Sequence, residues 1–255
     1  MKLFARQQGQ GADIISLHGL FGTQENLGTI NRSLADHFTV HGLDVRNHGR
    51  SPHSDEMSYT QMAADIIEYM DDKQLDSVDL VGHSMGGKIA MSIALQTPER
   101  IRKLVVMDIA PVTYDRKHDN VLDGLSAINL QGLKKRSDAE AFLALYIDEK
   151  DIRQFLLKNL YRDDKGQYQW RVNLNAIKHH YHEIMKGQSA DTPFEGETLF
   201  LKGADSDYIL PSHREHVLSV FPRATVKMIA GTGHWLHAQK PELVSRFINR
   251  FLLEV

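Results

Sequence analysis

Cysteine is absent from the 255 residues of this chain. The absence excludes a disulfide framework, a thiolate nucleophile and any cysteine-held zinc or iron–sulfur site, so a nucleophile here has to be oxygen or nitrogen. Excess charge of one sign is missing as well: 30 Lys and Arg stand against 33 Asp and Glu, a formal net charge of −3. Without a basic field to collect phosphates, nucleic acid is not an expected partner, and a small-molecule substrate fits better. Long apolar runs are also lacking. Met1 to Asp13 carries two basic residues but no stretch that could form a signal-peptide core, and nothing later approaches a membrane span, which points to a cytoplasmic protein. No internal repeat or low-complexity tract interrupts the chain.

What is present is an ordinary globular mixture, 42% hydrophobic and 25% charged, enough apolar side chain for one core with an insertion rather than two cores. Short apolar runs bounded by Gly, Pro and polar clusters alternate with longer segments of helical period. That pattern builds a mostly parallel sheet with helices on both faces. The expected strands are Lys2 to Gln7, Asp13 to Leu17, Thr39 to Val45, Ser77 to Val81, Arg102 to Met107, Thr198 to Lys202 and Ala224 to Ile229. A helix is expected over Ser58 to Leu75, with Met62, Ala63, Ile66, Ile67 and Met70 on one stripe and Ser58 and Gln61 as a capping pair. Met85 to Gln96 is small and apolar nearly all round, as a buried helix would be. Pro241 opens a last helix to about Leu253, with Leu243, Val244, Phe247, Ile248 and Phe251 inward. Between Pro111 and Pro193 the rhythm breaks. Helical patterns such as Ala139 to Ile147 and Ile152 to Leu160 follow one another without strand alternation, and Ser137 and Glu140 have capping-box spacing. The expected organisation is a core of residues 1–110 and 194–255 with an inserted helical cap, 111–193.

The strongest chemical signal is Gly82-His83-Ser84-Met85-Gly86-Gly87, where the apolar run Val78 to Val81 ends and a small-residue helix begins. A strand-to-helix turn this tight needs glycine on either side of the serine and holds the hydroxyl at the carboxyl edge of the sheet, a nucleophile elbow. The helix behind it aims its first N–H groups at developing negative charge. A serine hydroxyl needs a base. Among 14 histidines, position singles out His234, in Gly231-Thr232-Gly233-His234 between the last strand and the final helix, after the serine in chain order. The loop His18-Gly19-Leu20-Phe21-Gly22, after the apolar run Ile14 to Leu17, supplies in such a fold one oxyanion donor, the N–H of Leu20, paired with the N–H of Met85. Taken alone, that loop reads equally well as a glycine-rich turn. His179, His180 and His182 invite a metal reading, but neighbours on one helix point apart, and neither a metal nor a cofactor is expected. Trp235 and His237 are expected to line or cover the site entrance.

In this order, and spanning most of the chain, the three motifs resemble those of the α/β-hydrolase superfamily. The combination of His18-Gly-Leu-Phe-Gly, Asp44-Val-Arg-Asn-His-Gly-Arg-Ser51, Gly-His-Ser84-Met-Gly-Gly-Lys88 and Asp108-Ile-Ala-Pro-Val112 resembles more narrowly the bacterial YbfF esterase group and its mammalian abhydrolase-domain relatives. The resemblance implies an esterase with a helical cap, acting on carboxylic esters or thioesters, acyl-CoA among the candidates, through an acyl-enzyme and a Ser-His-Asp triad. Many relatives place the triad acid in a Gly-x-x-Asp turn after the penultimate strand, but Gly203-Ala204-Asp205-Ser206-Asp207 has Ser206 in that slot. The other slot, after the preceding strand, holds Asp108. Because Leu104-Val105-Val106-Met107 reads as a buried strand beside the nucleophile strand, Asp108 is the expected acid. Asp205 and Asp207 are the alternatives, with turn formation as their other role. Arg46 and His48 are read as loop braces. Ser84 argues against the dehalogenases and epoxide hydrolases of this fold, which use an aspartate nucleophile. A carbon–carbon bond hydrolase and a slow-turnover ligand receptor stay open, because both can carry the same three side chains.

Overall fold

Successive side chains of a strand point to opposite faces, so a run apolar at every position suits a strand covered on both sides. The computed structural model, which describes residues 1–254, uses Leu104-Val105-Val106-Met107 in this way. Leu104 and Val106 join one buried cluster, and Val105 and Met107 join the other. Nine strands are present among the described residues: β1 (Ala5–Gln8), β2 (Asp13–Leu17), β3 (Thr39–Leu43), β4 (Val78–His83), β5 (Ile101–Met107), β6 (Leu160–Arg162), β7 (Tyr168–Trp170), β8 (Glu197–Gly203) and β9 (Ala224–Ile229). Seven of them form one sheet in the order β1-β3-β2-β4-β5-β8-β9, antiparallel only between β1 and β3. The first strand begins at Ala5 rather than Lys2, and two further differences from the expected bounds bear on the site. Asp44 leaves the ladder because its carboxylate accepts the N–H groups of Gln24 at 2.7 Å and Arg50 at 2.9 Å. At the other extreme, β4 runs on through Gly82 and His83, which pair with Val106 and Met107. That extension carries Ser84 to the sheet edge.

The helices are α1 (Gly28–Leu34), α2 (Tyr59–Asp72), α3 (Met85–Gln96), α4 (Asp119–Ala127), α5 (Arg136–Leu143), α6 (Lys150–Leu157), α7 (Leu174–His179), α8 (Tyr181–Met185), α9 (Arg214–Val220), α10 (Leu236–Gln239) and α11 (Pro241–Leu253). Helices α1 and α11 pack together on one sheet face, with Leu34, Val244 and Ile248 against Ile14, Val81 and Val105. On the opposite face lie α2 and α3, whose Met62, Ile66, Ile89 and Ile93 meet Ile15, Leu80 and Val106. Ser58 caps α2, its hydroxyl accepting the Gln61 N–H at 3.3 Å.

Between β5 and β8 the chain is mostly helical, from α4 to α8, but it also contains a small hairpin that sequence periodicity did not reveal. β6 and β7 pair antiparallel around a turn closed by the Gly166 N–H on the Asp163 carbonyl at 2.8 Å. The helix expected to reach Leu160 therefore stops at Leu157, and three-residue strands are too short to show a period of two. Ser137 and Glu140 do not form a capping box. Instead the Asp138 carboxylate accepts the N–H groups of Lys134 and Lys135 at 3.2 and 3.1 Å, so α5 begins one residue before Ser137. No described helix is long and apolar enough to cross a membrane.

Candidate active site

The elbow is built by backbone collision. A Cβ on Gly82 would overlap the Gly86 carbonyl, and one on Gly86 would overlap the carbonyl oxygens of Leu17 and His18 at the end of β2. Between them Ser84 takes φ 53° and ψ −120°, a conformation costing a non-glycine residue about 1–3 kcal/mol. The fold over-determines it: the Ser84 N–H donates to the Met107 carbonyl at 3.0 Å, and the Ser84 carbonyl accepts from Lys88 at 3.1 Å. The hydroxyl is left facing the loop that carries His234.

His234 Nε2 lies 2.9 Å from Ser84 Oγ, and its Nδ1 lies 2.8 Å from Asp108 Oδ2. With a carboxylate on Nδ1, that nitrogen carries the proton and donates, so Nε2 is the lone pair that can accept from the serine hydroxyl. Asp108 follows β5 at φ 52° and is 0% exposed, whereas the His234 side chain keeps 22%. The Asp108 carboxylate is fully partnered: Oδ1 accepts the Gly203 N–H at 2.8 Å, and Oδ2 also accepts the Ser206 hydroxyl. Ser206, in the slot where the Gly-x-x-Asp pattern has its acid, therefore donates to Asp108. Asp205 and Asp207 are exposed, and neither meets His234. Asp207 pairs with Lys117 at 2.7 Å, and that ammonium holds its carboxyl below the usual range.

Other neighbours of the imidazole escaped the sequence reading. The Tyr208 ring stacks on His234 at 4.0 Å between centroids, with 22° between planes. His83 donates from Nε2 to the His234 carbonyl at 2.8 Å, fixing the backbone of the base. Burial, then the neighbouring His237 and His234, push His83 well below the ordinary imidazole value. Its place just before Ser84 was the available signal. His237 is buried, with its ring 4.1 Å from His83, rather than at the entrance. Trp235, half-buried, packs against Phe155 of α6 at 5.5 Å.

The Gly19 loop touches Ser84 so closely that a Cβ there would sit 3.3 Å from the serine Cβ. It closes as a turn, Gly22 N–H to Gly19 carbonyl at 3.0 Å, with Phe21 at φ 60°. Two buried histidines hold it. His18 accepts the Val45 N–H on Nε2 at 3.1 Å and donates from Nδ1 to the Gly19 carbonyl at 2.8 Å. His48 accepts the Phe21 N–H at 3.2 Å and donates to the Arg46 carbonyl at 2.9 Å. Each uses one nitrogen as an acceptor and so is neutral, in keeping with burial pushing His18 down to about 4 and His48 to about 3. Arg46 is tied to Asp65 by two hydrogen bonds of 2.6 and 2.9 Å, well away from Ser84. Met85 is the first residue of α3, so its N–H has no intrahelical acceptor. Leu20 and Met85 line one cleft with Ser84, Ile109, Ile184 and Tyr208, with about 360 Å³ of empty space partly open to solvent. Of His179, His180 and His182, the first two meet edge to face at 4.8 Å between ring centroids, while His180 also meets the Asp55 carbonyl and His182 meets Glu183.

Such a cleft can hold an acyl carbonyl between a hydroxyl with an adjacent base and a helix N-terminus. Comparison with known proteins points the same way. Residues 14–241 match a family described as the alpha/beta hydrolase fold. The chain is 36% identical over 249 residues to Esterase YbfF of Escherichia coli, covering 97% of this chain and 96% of that protein. Identity to the sn-1-specific diacylglycerol lipase ABHD11 of Xenopus tropicalis is 39% over 238 residues, covering 90% of this chain and 74% of that one. Among solved structures, a marine microorganism esterase superposes with a TM-score of 0.96 at 41% identity, covering 98% of this chain and 99% of that one.

Proposed function

This chain belongs to the alpha/beta hydrolase fold family, and from that membership and its cleft we propose an esterase of carboxylic esters or thioesters with Ser84 as nucleophile, His234 as base and Asp108 as orienting acid. The observation that carries this reading is the unbroken relay from Ser84 Oγ through His234 to Asp108, with contacts of 2.9 and 2.8 Å. Ser84 Oγ attacks the acyl carbon while its proton passes to His234 Nε2. The carbonyl oxygen becomes an oxyanion facing the N–H groups of Leu20 and Met85. Buried Asp108 stabilises the imidazolium, which then protonates the departing alcohol or thiol and leaves an acyl-Ser84. A water, deprotonated by the same imidazole, releases the acid and restores Ser84. The names of the relatives support ester substrates. Residues 111–193 act as the cap. Asn159 within it donates to the Phe21 carbonyl at 2.8 Å, a contact that supports this reading.

The test is steady-state kinetics on p-nitrophenyl acetate and butyrate, with butyryl-CoA and a vinylogous diketone in parallel. Repeated turnover of the esters that vanishes in Ser84→Ala is the expected result. A single stoichiometric release with no turnover identifies a slow receptor, and turnover of the diketone alone identifies a carbon–carbon bond hydrolase.

A further inference from the structure

Lys88 sits one turn beyond Ser84 on α3 and is 2% exposed. Burial works against an ammonium, pushing this lysine down to about 7, so an apolar residue would be the simpler occupant of such a position. All three of its donors are used. Nζ reaches the carbonyls of Val112 at 2.8 Å, Met185 at 3.3 Å and Lys186 at 2.5 Å. It also stands over the rings of Tyr114 at 4.8 Å and Tyr59 at 5.7 Å. Val112 lies where the chain enters the segment between β5 and β8, and Met185 and Lys186 lie where it leaves. The two passages are stitched to each other as well: Tyr114 N–H to the Met185 carbonyl at 3.0 Å, Gly187 N–H to Thr113 Oγ1 at 3.0 Å, and Gln188 N–H to the Pro111 carbonyl at 2.8 Å. Lys88 is thus the side chain by which the Ser84 helix grips both sides of a neck. Tyr114, Ile184 and Met185 of that neck form one wall of the cleft.

We propose that Lys88 is a positioning residue for the substrate cleft: its ammonium clasps the entry and exit of the inserted segment, so that the wall carrying Tyr114, Ile184 and Met185 stands at a fixed distance from Ser84. The kinetic part of the claim rests on the esterase reading, while the clasp itself does not. Removing the charge leaves buried carbonyls without their donor and lets the neck open. Ser84, Asp108 and His234 are held by β4, β5 and the loop after β9, with Gly203 at the end of β8 donating to Asp108, and stay in place.

Because the chain has no other cysteine, Lys88→Cys can be alkylated at one position. Aminoethylation restores an ammonium on an arm of lysine length, and propylation gives a neutral arm of nearly the same volume. For p-nitrophenyl butyrate the propyl arm is expected to raise KM about tenfold with kcat within about threefold of the parent, the scale of one lost hydrogen bond to a charged group, and the aminoethyl arm to return KM to near the parental value. Amide hydrogen exchange over residues 112–118 and 184–188 is expected to be faster with the propyl arm and parental with the aminoethyl arm. Equal KM and equal exchange in the two arms overturn the proposal, since volume alone would then suffice. Should Lys88→Cys not fold, both arms are installed on the unfolded chain before refolding. Recovery with the ammonium arm alone then supports the clasp, and recovery of parental exchange with both overturns it. An absence of ester turnover in the parent would sink the esterase reading, while the exchange comparison would still decide the clasp.

Discussion

Asp108, the proposed triad acid, shows how much such a role depends on one residue's surroundings. Its carboxylate is fully buried and takes hydrogen bonds from Gly203, Ser206 and His234, so the charge is satisfied before catalysis begins. Asp108→Asn keeps the shape but presents the wrong group to Nδ1, and kcat should fall about 10⁴-fold, as for a protease triad acid made neutral. Ser206→Ala removes one hydrogen bond to that charge and should cost about tenfold. Asp205→Asn and Asp207→Asn, both exposed, should stay within about threefold. Kinetics on folded, matched samples check the series; a collapse in either exposed variant with Asp108→Asn near parental would move the acid to the loop after β8. Sequence order was enough to prefer Asp108, because the apolar strand before it had to lie beside β4. The role of Ser206 was not legible. A serine in an acid's slot reads as a missing acid until the fold brings its hydroxyl to an aspartate 98 positions away.

Elements built on one sharp local rule were the legible ones. Helix α3 and strands β2 and β9 have the bounds that composition and period gave them, and Pro241 opens α11. The elbow was readable because only glycine fits beside Ser84, and that makes a prediction at this scale. Gly86→Ala drives a Cβ into the carbonyls of Leu17 and His18, so α3 must retreat from the end of β2. Unfolding free energy should drop by about 1–3 kcal/mol, the range for overpacking, and ester turnover should fall with it. A denaturant titration reads the first effect. A parental midpoint with parental activity would mean that the elbow is looser than its contacts imply. The β6–β7 hairpin and the neck clasped by Lys88 were invisible for different reasons: the strands of the hairpin are too short to leave a periodic trace, and the neck depends on partners far away in sequence.

Across the whole molecule, the buried histidines set an acid limit on the fold. Burial pushes His18, His118 and His237 down to about 4 and His48 to about 3, from 6.5 when exposed. Above 6.5 these groups are neutral in both states and cost nothing. As pH falls from 6.5 toward 4, the unfolded chain takes up protons that the folded chain refuses, so stability falls through that window. Asp44 and Asp79, raised by burial, act in the opposite sense, from their raised folded values down to 3.8, and offset part of that decline. Urea titrations at stepped pH should show a decline worth more than about 1 kcal/mol for each such histidine between 6.5 and 4, and a flat profile there would contradict the neutral assignment. The proposed catalytic relay is likewise a property of the whole fold, since residues 84, 108 and 234 meet only when β4, β5 and the loop after β9 are assembled. A fluorophosphonate probe with peptide mapping by mass spectrometry tests that claim most directly. The native protein should carry the adduct on Ser84, while heat-denatured protein and Ser84→Ala should carry none and His234→Ala should label far more slowly. Equal labelling of native protein and Ser84→Ala, or an adduct mapped to another residue, would contradict the account.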